Sequence, residues 1–308
     1  MKLRSVLVLF AITALSGCSV RKFAINKIGD ALAQGGSTYE SDDDLELVQG
    51  ALPFGLKLVE TMLEESPKHR GLLFAASQGF TSYAYLAVQQ DMDRAKGNDF
   101  ELEDRLRARA RRLYLRGHQY GMRGLDAAHP GFSMKFSRNP REAMANLNPK
   151  DLQLMYWTAA SLGLAISCSR DDVDMIGRIP QVEALIDRGL ELDETWNAGA
   201  FHEFAIVLAA AKPGEIDYDS TARHYTRAVV LSKGASAAIH VTYAETVHVQ
   251  KQQREEFRQT LERALAIMPN DDHKNLKLMN ELAHRRAAWL LSRIDNLILS
   301  PTDERAIP

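Results

Sequence analysis

Along most of this chain, apolar residues recur at i, i+3, i+4 and i+7, the spacing that lines one face of an α-helix. The pattern predicts helices over 43–65 (bent at Pro53), 68–91, 99–124, 149–169, 179–192, 194–211, 219–232, 236–250, 253–267 and 272–299. In the last of these, Met279, Ala283, Ala287, Leu290, Ile294 and Leu297 form the stripe. No run alternates apolar and polar residues as a strand would. Ser41 is placed to cap the first long helix, with Asp42, Asp43 and Asp44 in its first turn, where the helix dipole favours acids. The loop grammar of an EF-hand is missing there, so capping is favoured over Ca²⁺ ligation. Asn148 followed by Pro149 reads as a cap with proline at the first helical position. The one long irregular segment falls at about 125–140, and loops of that length in compact domains are often functional. The fold class expected is all-α.

Several helices share a further pattern: a small residue, an aromatic four positions on, an alanine three further and a proline five after that. Small residues let two helices approach closely, the aromatic fills the groove between them, and proline stops the helix. Ala110, Tyr114 and Gly117 fit without the proline, as do Thr221, Tyr225 and Ala228. Leu261, Ala264 and Pro269 fit, with Phe257 where a small residue is expected. Val182, Ile186 and Gly189 fit loosely, as do Val59, Met62 and Pro67. The expected architecture is an array of antiparallel helix pairs resembling degenerate tetratricopeptide repeats, ending in a long C-terminal helix.

The N-terminus carries targeting information. Lys2 and Arg4 precede the uncharged apolar run Val6–Leu15. That run is shorter than the ~20 residues needed to span a bilayer and has the length of a secretory signal core. Leu15-Ser16-Gly17-Cys18 then resembles a bacterial lipobox, in which the cysteine is lipidated and becomes the new N-terminus. A plain signal peptide cleaved after Ala14-Leu15-Ser16 is the alternative. The expected organisation is a signal peptide over 1–17, a lipidated tether with a short helix over 18–41, and a single helical domain over 42–308. Ser19 is not the Asp that retains lipoproteins in the inner membrane, so outer-membrane attachment facing the periplasm is expected. Removing 1–17 takes Lys2 and Arg4 from the 38 basic residues, leaving 36 against 40 acidic ones.

Composition narrows the chemistry. Hydrophobic residues make up 45% and charged residues 25%, an ordinary globular balance that excludes wholesale disorder. The near-neutral charge gives no footprint for nucleic acid. Two cysteines exclude a multi-disulfide scaffold and any zinc site with three or four Cys ligands. With Cys18 acylated, Cys168 remains as a buried, inert thiol. His202-Glu203 is not followed by a second zinc-ligand histidine, and His240 and His248 stand too far round their helix to grip one metal. No nucleophile elbow, Walker loop or dinucleotide fingerprint is present. No enzymatic activity, metal or cofactor is expected. The candidates for binding are polar and aromatic residues on helices that should be first in their pairs and so line a concave face. They are Tyr156, Trp157, Trp196, Asn197, His202 and Glu203. For the tryptophans, ordinary packing between helices is the competing reading.

These same residues carry a resemblance. The lipobox, the run from Tyr156-Trp157 to Ser161, the string from Leu192 through Trp196, Asn197 and Gly199 to His202-Glu203, and Arg285-Arg286-Ala287 with Trp289 resemble the T-component lipoproteins of tripartite ATP-independent periplasmic (TRAP) transporters. The likeness extends over about residues 23–299. It implies an all-helical, tetratricopeptide-like fold without enzymatic activity, association with the periplasmic solute-binding P-component, and an N-terminal lipid contact with the membrane. It also implies self-assembly into rings with hydrophobic passages and the handling of a hydrophobic ligand. A tetratricopeptide-type lipoprotein serving outer-membrane or envelope assembly is the alternative.

Overall fold

The computed structural model describes residues 22–31, 36–268 and 271–299. The signal segment and Cys18 lie outside the described residues. Every element among the described residues is helical. In chain order they are α1 (22–31), α2 (Gly36–Glu40), α3 (Leu45–Glu65), α4 (Arg70–Tyr83), α5 (Gln90–Ala95) and α6 (Phe100–Ala128). After them come α7 (Phe132–Arg138), α8 (Pro140–Ala143), α9 (Leu152–Ser167), α10 (Val173–Ile176), α11 (Ile179–Asp193) and α12 (Ala200–Ala211). The last five are α13 (Tyr218–Leu231), α14 (Ala237–Tyr243), α15 (Arg254–Leu265), α16 (Lys277–Ser292) and α17 (Ile294–Leu297).

Helices adjacent in sequence pack as neighbours: α3 on α4, α9 on α11, α12 on α13, and α14 on both α15 and α16. The long α6 lies between α4 and α9, and glycine makes this closeness feasible. A methyl group at Gly121 would overlap Thr158, and one at Gly117 would overlap Thr81. Tyr114 of the same helix is sealed and donates to Gln89 Oε1 at 2.5 Å. Phe257, Leu261 and Ala264 are likewise fully buried in the C-terminal cluster. Tyr225 is only half-buried; its ring stacks on Tyr243 at 4.0 Å and its hydroxyl meets His240 Nδ1 at 2.8 Å.

The array closes on itself. Leu278 and Leu282 of α16 join Leu45, Val48 and Leu52 of α3 in one buried cluster. Arg285 pairs with Glu46 across 239 residues of chain. A cavity partly open to solvent lies inside the array, lined from α4 to α6 on one side and by α9, α12, α14 and α16 on the other.

Four expectations are corrected. The segment 125–140 is largely helical. α6 continues to Ala128, a turn at Gly131 (φ 82°) starts α7, and Asn139 caps α8. With only Phe132 and Phe136 buried on α7, too few apolar positions recur to betray it. The cap of α3 is Asp44, whose Oδ1 accepts from Leu47 N at 2.8 Å, rather than Ser41. The helix expected from 194 starts only at Ala200, because Asn197, Ala198 and Gly199 all adopt left-handed conformations (φ 45°, 57° and 86°). The last helix begins at Lys277 and breaks at Arg293 before α17. The cap at Asn148 is present as a reciprocal capping box with Asp151.

Candidate functional site

This cavity, partly open to solvent, has a volume of about 750 Å³, within the ~300–1,000 Å³ of small-molecule sites. A smaller, more polar groove of about 250 Å³ lies between α11, α12 and α13, where Lys212 and Glu183 form an ion pair. The larger one carries the richer chemistry.

One wall is apolar, built from Ala160 and Leu164 of α9, Phe204 and Val207 of α12, and Met279 of α16. The other wall is shaped by two π-helical turns, Ala84–Gln89 and Ala244–His248. A π-turn inserts one residue into the helical register and so re-aims side chains; such turns are frequent at functional sites. Here Tyr85 and Glu245 both face the cavity. The widened backbone is stabilised locally: Gln49 Nε2 donates to Leu86 O at 2.6 Å and Gln90 Nε2 to Tyr85 O at 3.3 Å. Those side-chain bonds satisfy carbonyls that would otherwise be left without partners.

The charged residues of the site come from four helical segments. Arg286 of α16 donates from Nη2 to Glu245 at 2.6 Å and from Nη1 to Asp93 of α5 at 2.8 Å. Its guanidinium lies over the Trp289 ring, 4.5 Å from the centroid. Burial works against its charge, but Glu245 and Asp93 outweigh burial and hold its pKa above the ordinary arginine value. Burial raises the Asp93 carboxyl more than Arg286 lowers it. Glu203 of α12 has no hydrogen bond or ion pair among the described residues, and burial pushes its carboxyl up to about 7. Burial also raises the phenols of Tyr85 and Tyr156, with Glu203 adding to both. Cys168 lines the cavity too; burial lifts its thiol to about 11, so it is no nucleophile at neutral pH.

The six residues expected to share a surface divide into two groups. Tyr156, Trp157 and Glu203 line the cavity. Trp196 sits behind them, its ring 5.2 Å from Tyr156 and 5.4 Å from Phe201. Asn197 is exposed in the left-handed turn and accepts from Asn275 Nδ2 at 3.3 Å. His202 leaves its helix ~100° round from Glu203 and so points toward α13 and away from the cavity lining. Its Nε2 lies 3.2 Å from Glu194 Oε2 and its Nδ1 2.9 Å from His224 Nδ1. With Nε2–H donating to Glu194, His202 Nδ1 must accept from His224, which assigns both tautomers. Arg227 also binds Glu194 and, ahead of His202, holds that carboxyl down at about 2.

Sequence reasoning missed Tyr85, Asp93, Glu245 and Arg286. One signal was available for Arg286: it lies on the stripe of Ala283, Ala287 and Leu290, where a charge is unexpected. Among the described residues no group of His, Cys, Asp and Glu is placed to hold a metal ion, and no helix is long and apolar enough to cross a membrane.

Comparison with known proteins adds two findings. The family model described as TRAP transporter T-component matches residues 41–298. A protein of Treponema pallidum (strain Nichols), described as uncharacterized, is 27% identical over 307 residues, covering 92% of this chain and 94% of the relative.

Proposed function

Because the chain belongs to the TRAP transporter T-component family, and so to the accessory proteins of TRAP transport, we propose that it acts as a non-enzymatic scaffold for solute uptake. In this reading it docks the periplasmic solute-binding P-component and receives a hydrophobic ligand in the cavity. Cys18, acylated, would hold it in the cell envelope, at the outer membrane facing the periplasm. The observation that carries the ligand reading is the 750 Å³ cavity itself, whose lining combines apolar side chains with the carboxyl of Glu203, which has no protein partner among the described residues. Tyr156, Trp157 and Glu203 are assigned to that cavity. Trp196 is assigned to packing behind it, His202 to the buried contact with Glu194 and His224, and Asn197 to the exposed turn, where a partner would bind.

A tethered receptor raises the local concentration of what it binds, so a modest intrinsic affinity suffices. A diffusible solute-binding protein gains most from such a platform. The test is uptake of the transporter's solute by cells in which this chain is deleted, then restored as wild type or with Trp157→Arg filling the cavity. Uptake lost on deletion, rescued by wild type and not by Trp157→Arg, supports the reading; undiminished uptake in the deletion strain contradicts it.

A further inference from the structure

The cavity lining distributes its charges unevenly. The lining carries five carboxyls, Asp93, Glu103, Asp171, Glu203 and Glu245, against the cations Lys96, Arg107, Arg170 and Arg286; Asp93 and Glu245 gather at Arg286, and Glu203 stands apart from that group. The Arg286 guanidinium is already engaged: Nε and Nη2 are directed to Glu245 and Nη1 to Asp93, and one face covers Trp289. A ligand carboxylate approaching Arg286 would meet two carboxylates before it met an unused N–H. Glu203, by contrast, is unpaired among the described residues and borders the same space. The hydroxyls of Tyr85 and Tyr156 also lack protein partners among the described residues, and both rings lie within electrostatic range of Glu203. Aromatic faces beside a carboxylate are the arrangement that receives ammonium groups, by charge and by cation–π attraction.

We propose that the ligand of this cavity is an apolar amine, its ammonium seated against Glu203 between the Tyr85 and Tyr156 rings and its hydrocarbon tail along Leu164, Val207 and Met279. This rests on the reading that the cavity holds a ligand, and it adds the chemical class. An ammonium would give Glu203 the partner it lacks, whereas a fatty acid would set a second carboxylate beside it. The other charges along the wall do not reverse this. Lys96, Arg170 and Asp171 are exposed to water, and Arg107 is paired with Glu103.

Proton linkage follows. Glu203 on α12 acts on the phenols of Tyr85 and Tyr156 and shares the lining with Asp93, Lys96, Glu103, Arg107, Arg170, Asp171, Glu245 and Arg286. Without ligand its carboxyl titrates at about 7. Below that pH it is neutral, so an ammonium must displace a proton to gain its charge, and affinity falls as pH falls.

The experiment is isothermal titration of residues 19–308 with decylamine, decanol and decanoate, each below its micelle concentration, at pH 8 and pH 5.5. Decylamine is expected to bind about tenfold or more tighter than the other two at pH 8, and to lose about tenfold at pH 5.5 while decanol changes little. Glu203→Gln should abolish both the preference and the pH dependence while decanol binding persists. Decanoate or decanol binding as tightly as decylamine would overturn the amine assignment and leave the ligand-holding cavity intact. If none of the three binds, the cavity reading falls and the amine assignment with it.

Discussion

Glu203→Gln provides a measurement of how the cavity stores free energy. In the folded chain the Glu203 carboxyl titrates at about 7, against 4.5 for the free group, because protein surrounds it without offering a partner. Between these values the folded state binds more protons than the unfolded one. Stability contributed through this group is therefore full below about pH 4.5, declines as pH rises, and reaches its floor above pH 7. A displacement of about 2.5 pKa units corresponds to roughly 3.4 kcal/mol. The side chain borders a space large enough for water, and hydration of the carboxylate reduces the cost, so we expect about 1–3 kcal/mol. At roughly 2–3 °C per kcal/mol for a chain of this size, Glu203→Gln should melt about 3–8 °C above wild type at pH 8. At pH 5, where the unfolded carboxyl is already largely ionised, the offset should shrink to about 1–2 °C. Other titrating groups, Asp93 among them, are common to both proteins and cancel in the difference. Calorimetric scans of both proteins at the two pH values are the assay. Parallel melting curves, with the same offset at pH 5 and pH 8, would refute the assignment of Glu203 as an unpaired, desolvated carboxyl.

Other expectations follow from the same packing. Phe257→Ala removes a fully buried ring and should cost about 3–5 kcal/mol, whereas exposed Lys68→Ala should cost less than about 0.5 kcal/mol by urea denaturation. Gly189→Leu, whose side chain would have to displace the Phe201 ring, should destabilise by about 1–3 kcal/mol or more, read as a lowered melting midpoint. Arg286→Met leaves the half-buried Asp93 and Glu245 without their cation and should cost about 1–3 kcal/mol at pH 8, less at pH 5, where Asp93, already raised, protonates more easily. Radiolabelled palmitate should enter the wild-type chain and not Cys18→Ser; label in neither would remove the lipobox reading.

The helical order was legible because each helix presents one apolar face to the array. Legibility ended where that periodicity was interrupted. α7 buries only Phe132 and Phe136, and in the turn at Asn197–Gly199 three left-handed residues interrupt an otherwise continuous pattern. The candidate site shows the same division. Tyr156, Trp157 and Glu203 lie on helices whose cavity-facing side is set by local spacing. Tyr85 and Glu245 depend on π-turns, which shift the register by one residue and leave no compositional trace. Asp93 and Arg286 meet only because α16 returns to the start of the array, a closure set by the α3–α16 cluster of Leu45, Val48, Leu278 and Leu282. His202, adjacent to Glu203 in sequence, was drawn into the same grouping although the helix turns it about 100° away, toward α13.

The scaffold role is tested most directly by analytical ultracentrifugation of residues 19–308 mixed with the cognate solute-binding P-component at micromolar concentrations, with and without the transported solute. The account predicts a faster-sedimenting complex whose formation survives loss of Cys18, since the lipid only localises the protein. Independent sedimentation of the two proteins under every condition would contradict it.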